Sequence, residues 1–309
     1  MAASEASKVQ KRVVEAAVAI KLDPADERNA VFQHSVLCQT SLPYRNPGDE
    51  VRHWERKQGR ASLLISAGSF YDPVRSDWVE MGLPYGPKSR LILAHINTQA
   101  VKTQSREIEV GASLTQFIKR LGLANKGSNF KIIKDQLARL TVSGISLAFV
   151  KDEYLRVTQS HIIESLNLWL PEARHQRSLW QSTIELGERY YESLAQHAVP
   201  LDERALAALA HNCMAMDLYC WLAQRLHRVH PQKPAFVDWQ SLKEQFGPDY
   251  GRMAEFKRVF RKYLRLSLTQ YPAAKLEEIH NKGFRLYHSP APIRSTQILI
   301  SRSPQEKSA

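Results

Sequence analysis

Residues 252–265 place six cations and one anion in fourteen positions and sort them by face. At about 100° per residue, Phe256, Val259, Phe260, Tyr263 and Leu264 fall on one side of a helix. Lys257, Arg258, Arg261, Lys262 and Arg265 fall on the other. A segment divided in this way must lay one wall on a core and turn a cationic wall to solvent or to a partner. Just upstream, residues 237–247 read as a short helix closed by Gly247. Short helix, tight turn, longer basic helix is the sequence form of a helix-turn-helix, the arrangement that enters a DNA groove.

The arrangement occurs twice. Ser113 followed by Gln116 is a capping box, and Leu114, Phe117, Ile118 and Leu121 keep helical spacing up to Gly122. Phe130, Ile133, Leu137 and Leu140 then form a second apolar face, with Lys131, Lys134 and Arg139 elsewhere on that helix. Phe117, Leu121 and Gly122 align with Leu242, Phe246 and Gly247 at an offset of 125. Phe130, Ile133 and Leu137 align with Phe256, Val259 and Tyr263 at an offset of 126, so the pattern reads as a duplicated module.

Each copy has similar surroundings. An apolar helix precedes it, 87–103 in the first copy, opened by Pro87, and roughly 203–229 in the second. In the latter Leu206, Leu209, Cys213, Met216, Cys220 and Ala223 keep core-facing spacing. A two-stranded ribbon follows each basic helix. The first alternates through Ile145, Leu147 and Phe149, turns near 151–153 and returns through Leu155 and Val157. The second runs over 275–279, turns at 281–283 and returns through Phe284 and Leu286. The expected fold class is therefore α+β, predominantly helical, with two tandem winged-helix domains. An N-terminal arm and linker (1–58) precede the first domain (59–172); the second (178–292) follows a linker near 171–177, and a flexible tail (293–309) ends the chain.

The charge balance supports a polyanionic partner. Lys and Arg number 43 against 31 Asp and Glu, a net +12, and the excess gathers in the two basic helices. Residues 111–140 carry Lys119, Arg120, Lys126, Lys131, Lys134 and Arg139 against Asp135 alone. Cys38, Cys213 and Cys220 form no disulfide pattern and read as packing groups. No apolar run is long enough to span a membrane, and the basic amphipathic stretch 8–20 is a poor signal peptide, so cytoplasmic residence is expected.

Catalytic signals are weak. Gly122 to Ser128 has phosphate-loop glycine spacing but lacks the lysine after the second glycine, and no strand leads into it. Tyr190 and Tyr191 suggest a nicking nucleophile, yet no His-x-His metal triplet accompanies them. His227 and His230 share a helix end with Arg225 and Arg228, where cations suit the dipole. His34 and Cys38 are too few for a metal site. Asp72, Asp77 and Glu80 sit in a Pro/Gly-rich stretch read as a solvated loop. Neither catalysis, metal nor cofactor is expected.

Residues 70–73, 83–105, 108–111 and 114–122 together resemble the plasmid-encoded RepA replication initiator family, and 34–44, 199–209, 223–227 and 258–261 agree with it. The resemblance spans roughly residues 30–292. It implies a protein that binds repeated double-stranded sites at a plasmid origin, helps open an A·T-rich segment, and recruits the host initiator and replicative helicase. It further implies tandem winged helices and a homodimer in equilibrium with monomer. The second winged helix would read bases, while the first supplies phosphate contacts and dimerisation.

On that reading Arg258, Arg261 and Arg265 meet guanine edges, each bidentate pair contributing about 1–3 kcal/mol of discrimination. Lys257 and Lys262 meet phosphates. Arg252, Lys243 and Lys282 complete the second module's contacts; Lys126, Lys131, Lys134 and Arg139 serve the first. Three alternatives use the same sequence: a repressor without an initiation role, a nickase or primase, and a winged-helix protein that binds only protein.

Overall fold

The computed structural model describes residues 2–293 except 60, 73–74, 112, 152–153 and 168–181. The expected linker at 171–177, the first ribbon's turn at 152–153 and the segment from 294 onward lie outside the described residues.

The N-terminal stretch forms helix α1 (Ala2–Leu22), with Val13 and Ile20 buried. Strand β1 (Ala30–His34) and helix α2 (Ser35–Gln39) follow, the His34 ring accepting the Val36 N–H as the helix cap. The hairpin β2 (His53–Gln58) and β3 (Ala61–Ser66) comes next, then a smaller hairpin, β4 (Ser69–Asp72) and β5 (Asp77–Glu80). Asp72, Asp77 and Glu80, expected in a loop, sit on the strands of this second hairpin, where β-branched and aromatic neighbours favour extended pairing. Helix α3 (Gly86–Thr103) opens with Pro87 in its first turn, as expected, and ends at left-handed Gln104.

Strand β6 (Glu107–Gly111), helix α4 (Leu114–Arg120) and helix α5 (Gly127–Val142) realise the first copy of the repeat, with Ser113 accepting the Gln116 N–H. Gly122 between the helices has φ +68°, a conformation that glycine adopts without steric cost. Strands β7 (Gly144–Lys151), β8 (Tyr154–His161), β9 (Ile163–Asn167) and β10 (Ser182–Leu186) precede helix α6 (Glu188–His197). Strand β11 (Ala198–Asp202) leads into helices α7 (Glu203–Leu209) and α8 (Cys213–Leu226). The continuous helix expected over 203–229 is thus two helices. Asn212 accepts the Ala215 N–H and starts α8 afresh, a cap that the unbroken apolar spacing conceals.

The second copy runs β12 (Ala235–Asp238), α9 (Trp239–Phe246), α10 (Met253–Thr269), β13 (Leu276–Ile279) and β14 (Gly283–Leu286). Its sheet has the order β12-β14-β13, all antiparallel. Gly247, which closes α9, has an extended φ; a Cβ there would lie 2.5 Å from the Phe256 ring, so close approach demands the glycine.

The two copies part company in their sheets. In the first, β10 lies between β6 and β9, where the second copy pairs β12 directly with β14. The first ribbon is also not two-stranded: β7 pairs with β3, giving the order β2-β3-β7-β8. Ala61, Leu63 and Ile65 alternate inward along β3 and meet Ile145 and Leu147 of β7. The expected boundary at residue 58 therefore cuts a hairpin. Nor are residues 30–34 part of a separate arm, because β1 pairs with β11 in the register Phe32 to Pro200. Ile293, expected in a flexible tail, is buried against Ala25, Ala30 and Phe32.

One continuous core joins residues of both copies, from Leu63 and Ile133 to Leu222 and Phe260. An ion pair is buried within it. Arg90 of α3 grips Asp217 of α8 through Nε and Nη2, each at 2.7 Å, and also donates to the carbonyls of Leu42 and Gly86. Burial opposes the Arg90 charge, but Asp217 outweighs it and holds the guanidinium protonated above its ordinary range.

Candidate nucleic-acid interface

Helix α10 is fixed from beneath by rings. Trp239 meets Phe256, Phe260 and Phe284 edge-on at centroid distances of 6.2, 5.5 and 5.2 Å, and Phe246 adds a further contact to Phe260. Phe256, Phe260 and Leu264 are buried, as the helical spacing requires. Edge-to-face pairs contribute about 0.5–1.5 kcal/mol each beyond area burial, so this cluster locks the roll of α10 about its axis.

That roll turns Arg258, Lys262 and Arg265 to solvent at i, i+4 and i+7. None of the three meets a carboxylate among the described residues. With Tyr263, Leu266 and Thr269 they line a shallow open groove along the helix. The three cations span about 10 Å of helix axis. Lys257 is half-buried, its ammonium 5.2 Å from the Trp239 ring centroid.

Arg261 differs from its neighbours. Its guanidinium lies 5.0 Å from the Trp239 centroid and forks onto Glu278 of β13, Nε to Oε1 at 3.1 Å and Nη2 to Oε1 at 2.6 Å. The hydrogen bonds to Glu278 raise its pKa above the usual arginine range. The expected set of three free arginines is therefore two free ones and one paired with the sheet. Lys282 is exposed at the β13–β14 turn, whose backbone carbonyl accepts the Trp239 N–H at 3.1 Å and so ties the turn to the start of α9. Arg252, the residue before α10, is exposed, and Lys243 on α9 is half-buried.

In the first copy Lys126, the residue before α5, and Lys131 and Lys134 in its amino-terminal half are exposed. Arg139 is not. It is 6% exposed, bonded to Asp135 at 3.0 Å and to Asp49 at 3.0 Å, and it also donates to the Leu83 carbonyl. Despite burial, the two carboxylates keep it charged, and it serves as an internal strut rather than a contact for nucleic acid.

The residues considered for chemistry are placed as follows. Tyr190 is fully buried, its hydroxyl donating to Asn97. His34 is buried between the Ser193 hydroxyl and the Val36 N–H; burial first, and then His197, push its pKa down to about 3. Asp77 accepts its neighbour's backbone N–H, and Arg75 and Arg52 approach Asp72 and Glu80. Among the described residues no three His, Cys, Asp or Glu side chains are placed to hold a metal ion.

Two features escaped sequence reasoning. Trp239 carries α10 and the turn, which its place in a short helix does not show; three phenylalanines at helix and strand spacing are its signal. Glu278 has no sequence signal, because nothing local shows that β13 reaches Arg261.

The family of the plasmid-encoded RepA protein matches residues 83–240, just over half of the chain. The chain belongs to the plasmid-encoded RepA protein family. The match ends at the start of α9, so α10 lies beyond it. Among solved structures, the RepA-family chain is similar to domains 2 and 3 of RctB. A selenomethionine form gives a TM-score of 0.49 at 10% identity, covering 82% of this chain and 96% of that one. A second structure of those domains gives 0.46 at 11% identity, covering 81% and 94%. No curated protein matches the sequence. No helix among the described residues is long and apolar enough to cross a membrane.

Proposed function

We propose that this chain is a bacterial, cytoplasmic plasmid replication initiator. It binds repeated double-stranded sites at the plasmid origin, without catalysis of its own, and recruits the host initiator and helicase. One observation carries the binding: a helix anchored by an aromatic cluster presents Arg258, Lys262 and Arg265 along one exposed face, free of carboxylate partners among the described residues. Family membership supplies the plasmid context.

On this reading residues 213–286 form a winged helix in which α9 and α10 are the helix-turn-helix and the β13–β14 turn is the wing. Arg258 and Arg265 read guanine edges in the major groove. Arg261 is held back from the row by Glu278, while Lys257 and Lys262 hold phosphates. Lys282 on the wing, Lys243 and Arg252 reach the backbone beside it. Lys126, Lys131 and Lys134 supply the first module's phosphate contacts, in a variant winged helix whose sheet is interrupted by β10. The protein exchanges between monomer and homodimer.

The test is footprinting of the purified protein on plasmid DNA that carries the presumptive origin. Protection of direct repeats, lost in Arg258→Ala, supports the reading. Protection confined to the gene's own promoter, with the plasmid replicating in the gene's absence, points to a repressor instead. A nick or covalent adduct on supercoiled DNA with Mg²⁺ points to an enzyme.

A further inference from the structure

A groove of about 710 Å³ runs between the β2–β3 turn and the edge strand β12, with the last turn of α8 along its side. Its walls carry Lys57, Arg225, Arg228, His230 and Lys233 against Asp238 and Glu244. Lys57 is taken by Glu55 at 2.7 Å, and the Asp238 carboxylate is engaged by Ser241 as the α9 cap. Arg225, Arg228 and Lys233 are exposed and meet no carboxylate among the described residues.

Phe236 opens into the same groove and is 51% exposed. A single exposed phenylalanine means little alone. Beside three cations that meet no carboxylate among the described residues, Arg228 touching only the His227 ring at 3.3 Å, it acquires a chemistry. Phosphodiesters satisfy the cations, and an aromatic face stacks an unpaired base. A duplex keeps its bases inside the stack and offers this groove only phosphates, which would leave Phe236 unused.

The geometry points to a second nucleic-acid site, separate from the outer face of α10: the groove holds a single strand, its backbone on Arg225, Arg228 and Lys233 and one base on Phe236. The chain's own segment 294–309 is a poor occupant, since it carries Arg294, Arg302 and Lys307 against Glu306.

The test measures anisotropy of a fluorescein-labelled 20-nucleotide oligothymidylate, and of an origin duplex, with the full chain and three variants. Phe236→Ala should lose about tenfold in affinity for the single strand, the effect of removing one stacked base. Arg225→Gln with Arg228→Gln should flatten the single-strand salt slope by about 1.4. Both should hold duplex affinity within twofold. Arg258→Ala with Lys262→Ala should do the reverse. If that last variant keeps full duplex affinity, the reading of α10 fails and the groove assignment stands.

Absence of single-strand binding, or its persistence in both groove variants, overturns the proposal. So does equal loss on single strand and duplex, which would make the groove part of the duplex contact. Displacement of the strand by oligoglutamate at equal concentration would assign the groove to an acidic protein segment and overturns it as well. Photocrosslinking of the wild-type chain to bromodeoxyuridine oligonucleotides reads the contact without any variant; a crosslink mapping to Phe236 supports the site, and one mapping only to α10 refutes it.

Discussion

Glu278→Gln isolates the one pairing that separates Arg261 from its free neighbours. The Arg261 and Glu278 side chains are 35% and 32% exposed, so solvent screens the pair and its loss should cost the fold under about 1 kcal/mol. The effect on binding should be larger. Released from its carboxylate, Arg261 adds one cation to the α10 face and removes one anion from its edge. If the wild-type chain neutralises about eight phosphates, log K falls against log salt with a slope near −7, and the variant adds about −0.9. Between 50 and 200 mM salt that extra slope makes the variant's loss of affinity roughly 3.5-fold greater than the wild type's. Anisotropy titrations on an origin duplex at four or more salt concentrations give both slopes, and urea unfolding supplies the stability control. An unchanged or shallower slope would refute the argument, since it would mean that Arg261 does not gain a phosphate when freed.

Further outcomes follow from the interior. Asp217→Asn strips the buried Arg90 of the carboxylate it meets among the described residues and should cost about 3–5 kcal/mol in urea unfolding; a cost below 1 kcal/mol would show that the Leu42, Pro43 and Gly86 carbonyls suffice for Arg90. Arg139→Ala should lower stability yet leave duplex affinity per folded molecule unchanged, whereas Lys131→Ala should lower affinity alone; the opposite pairing in parallel melts and titrations would return Arg139 to the interface. Burial holds His34 near pKa 3 and, with Arg120, His95 near 4, so both stay neutral when folded but protonate near pH 6.5 when unfolded. Stability is therefore complete above about pH 6.5 and falls as pH drops towards 4, by up to roughly 1.4 kcal/mol per pH unit for each histidine. His34→Gln should remove one histidine's share of that slope in denaturant melts across pH 5–7, and an unchanged slope would refute the assignment.

What the sequence revealed depended on how far apart the partners lie. The faces of α10, the Ser113 cap and the glycines closing α4 and α9 are local, and the periodicity of residues three and four apart exposed them. Arg139 shows the limit. It lies on the flank of the α5 apolar face, one turn beyond Asp135, and partners distant in sequence, Asp49 and the Leu83 carbonyl, draw it inside. Charge alone cannot distinguish such a strut from an exposed contact like Lys134. Sheet membership was hidden for the same reason. Nothing near β6 announces that β10 will pair with it, nor does β1 announce β11. Repeat symmetry therefore held for helices, whose hydrogen bonds are internal, and failed for strands, whose partners come from elsewhere in the chain.

The shared core alters how the two basic helices should act together. Two modules on a flexible linker raise each other's local concentration and tolerate variable spacing between their sites. Here β1 pairs with β11, Arg90 grips Asp217 across α3 and α8, and one apolar cluster runs through both copies, so α5 and α10 are held in fixed relation. A duplex touching both must match that spacing. Inserting five base pairs between the two contact regions rotates one by about half a turn and displaces it by roughly 17 Å, so binding should fall at least tenfold, to the level of one module. Inserting ten restores the face of the helix but not the distance. A rigid pair should therefore remain weak on the ten-pair insertion, while tethered modules would recover. Recovery there, measured by anisotropy on duplexes that differ only in the insert, would show that the modules separate when they bind.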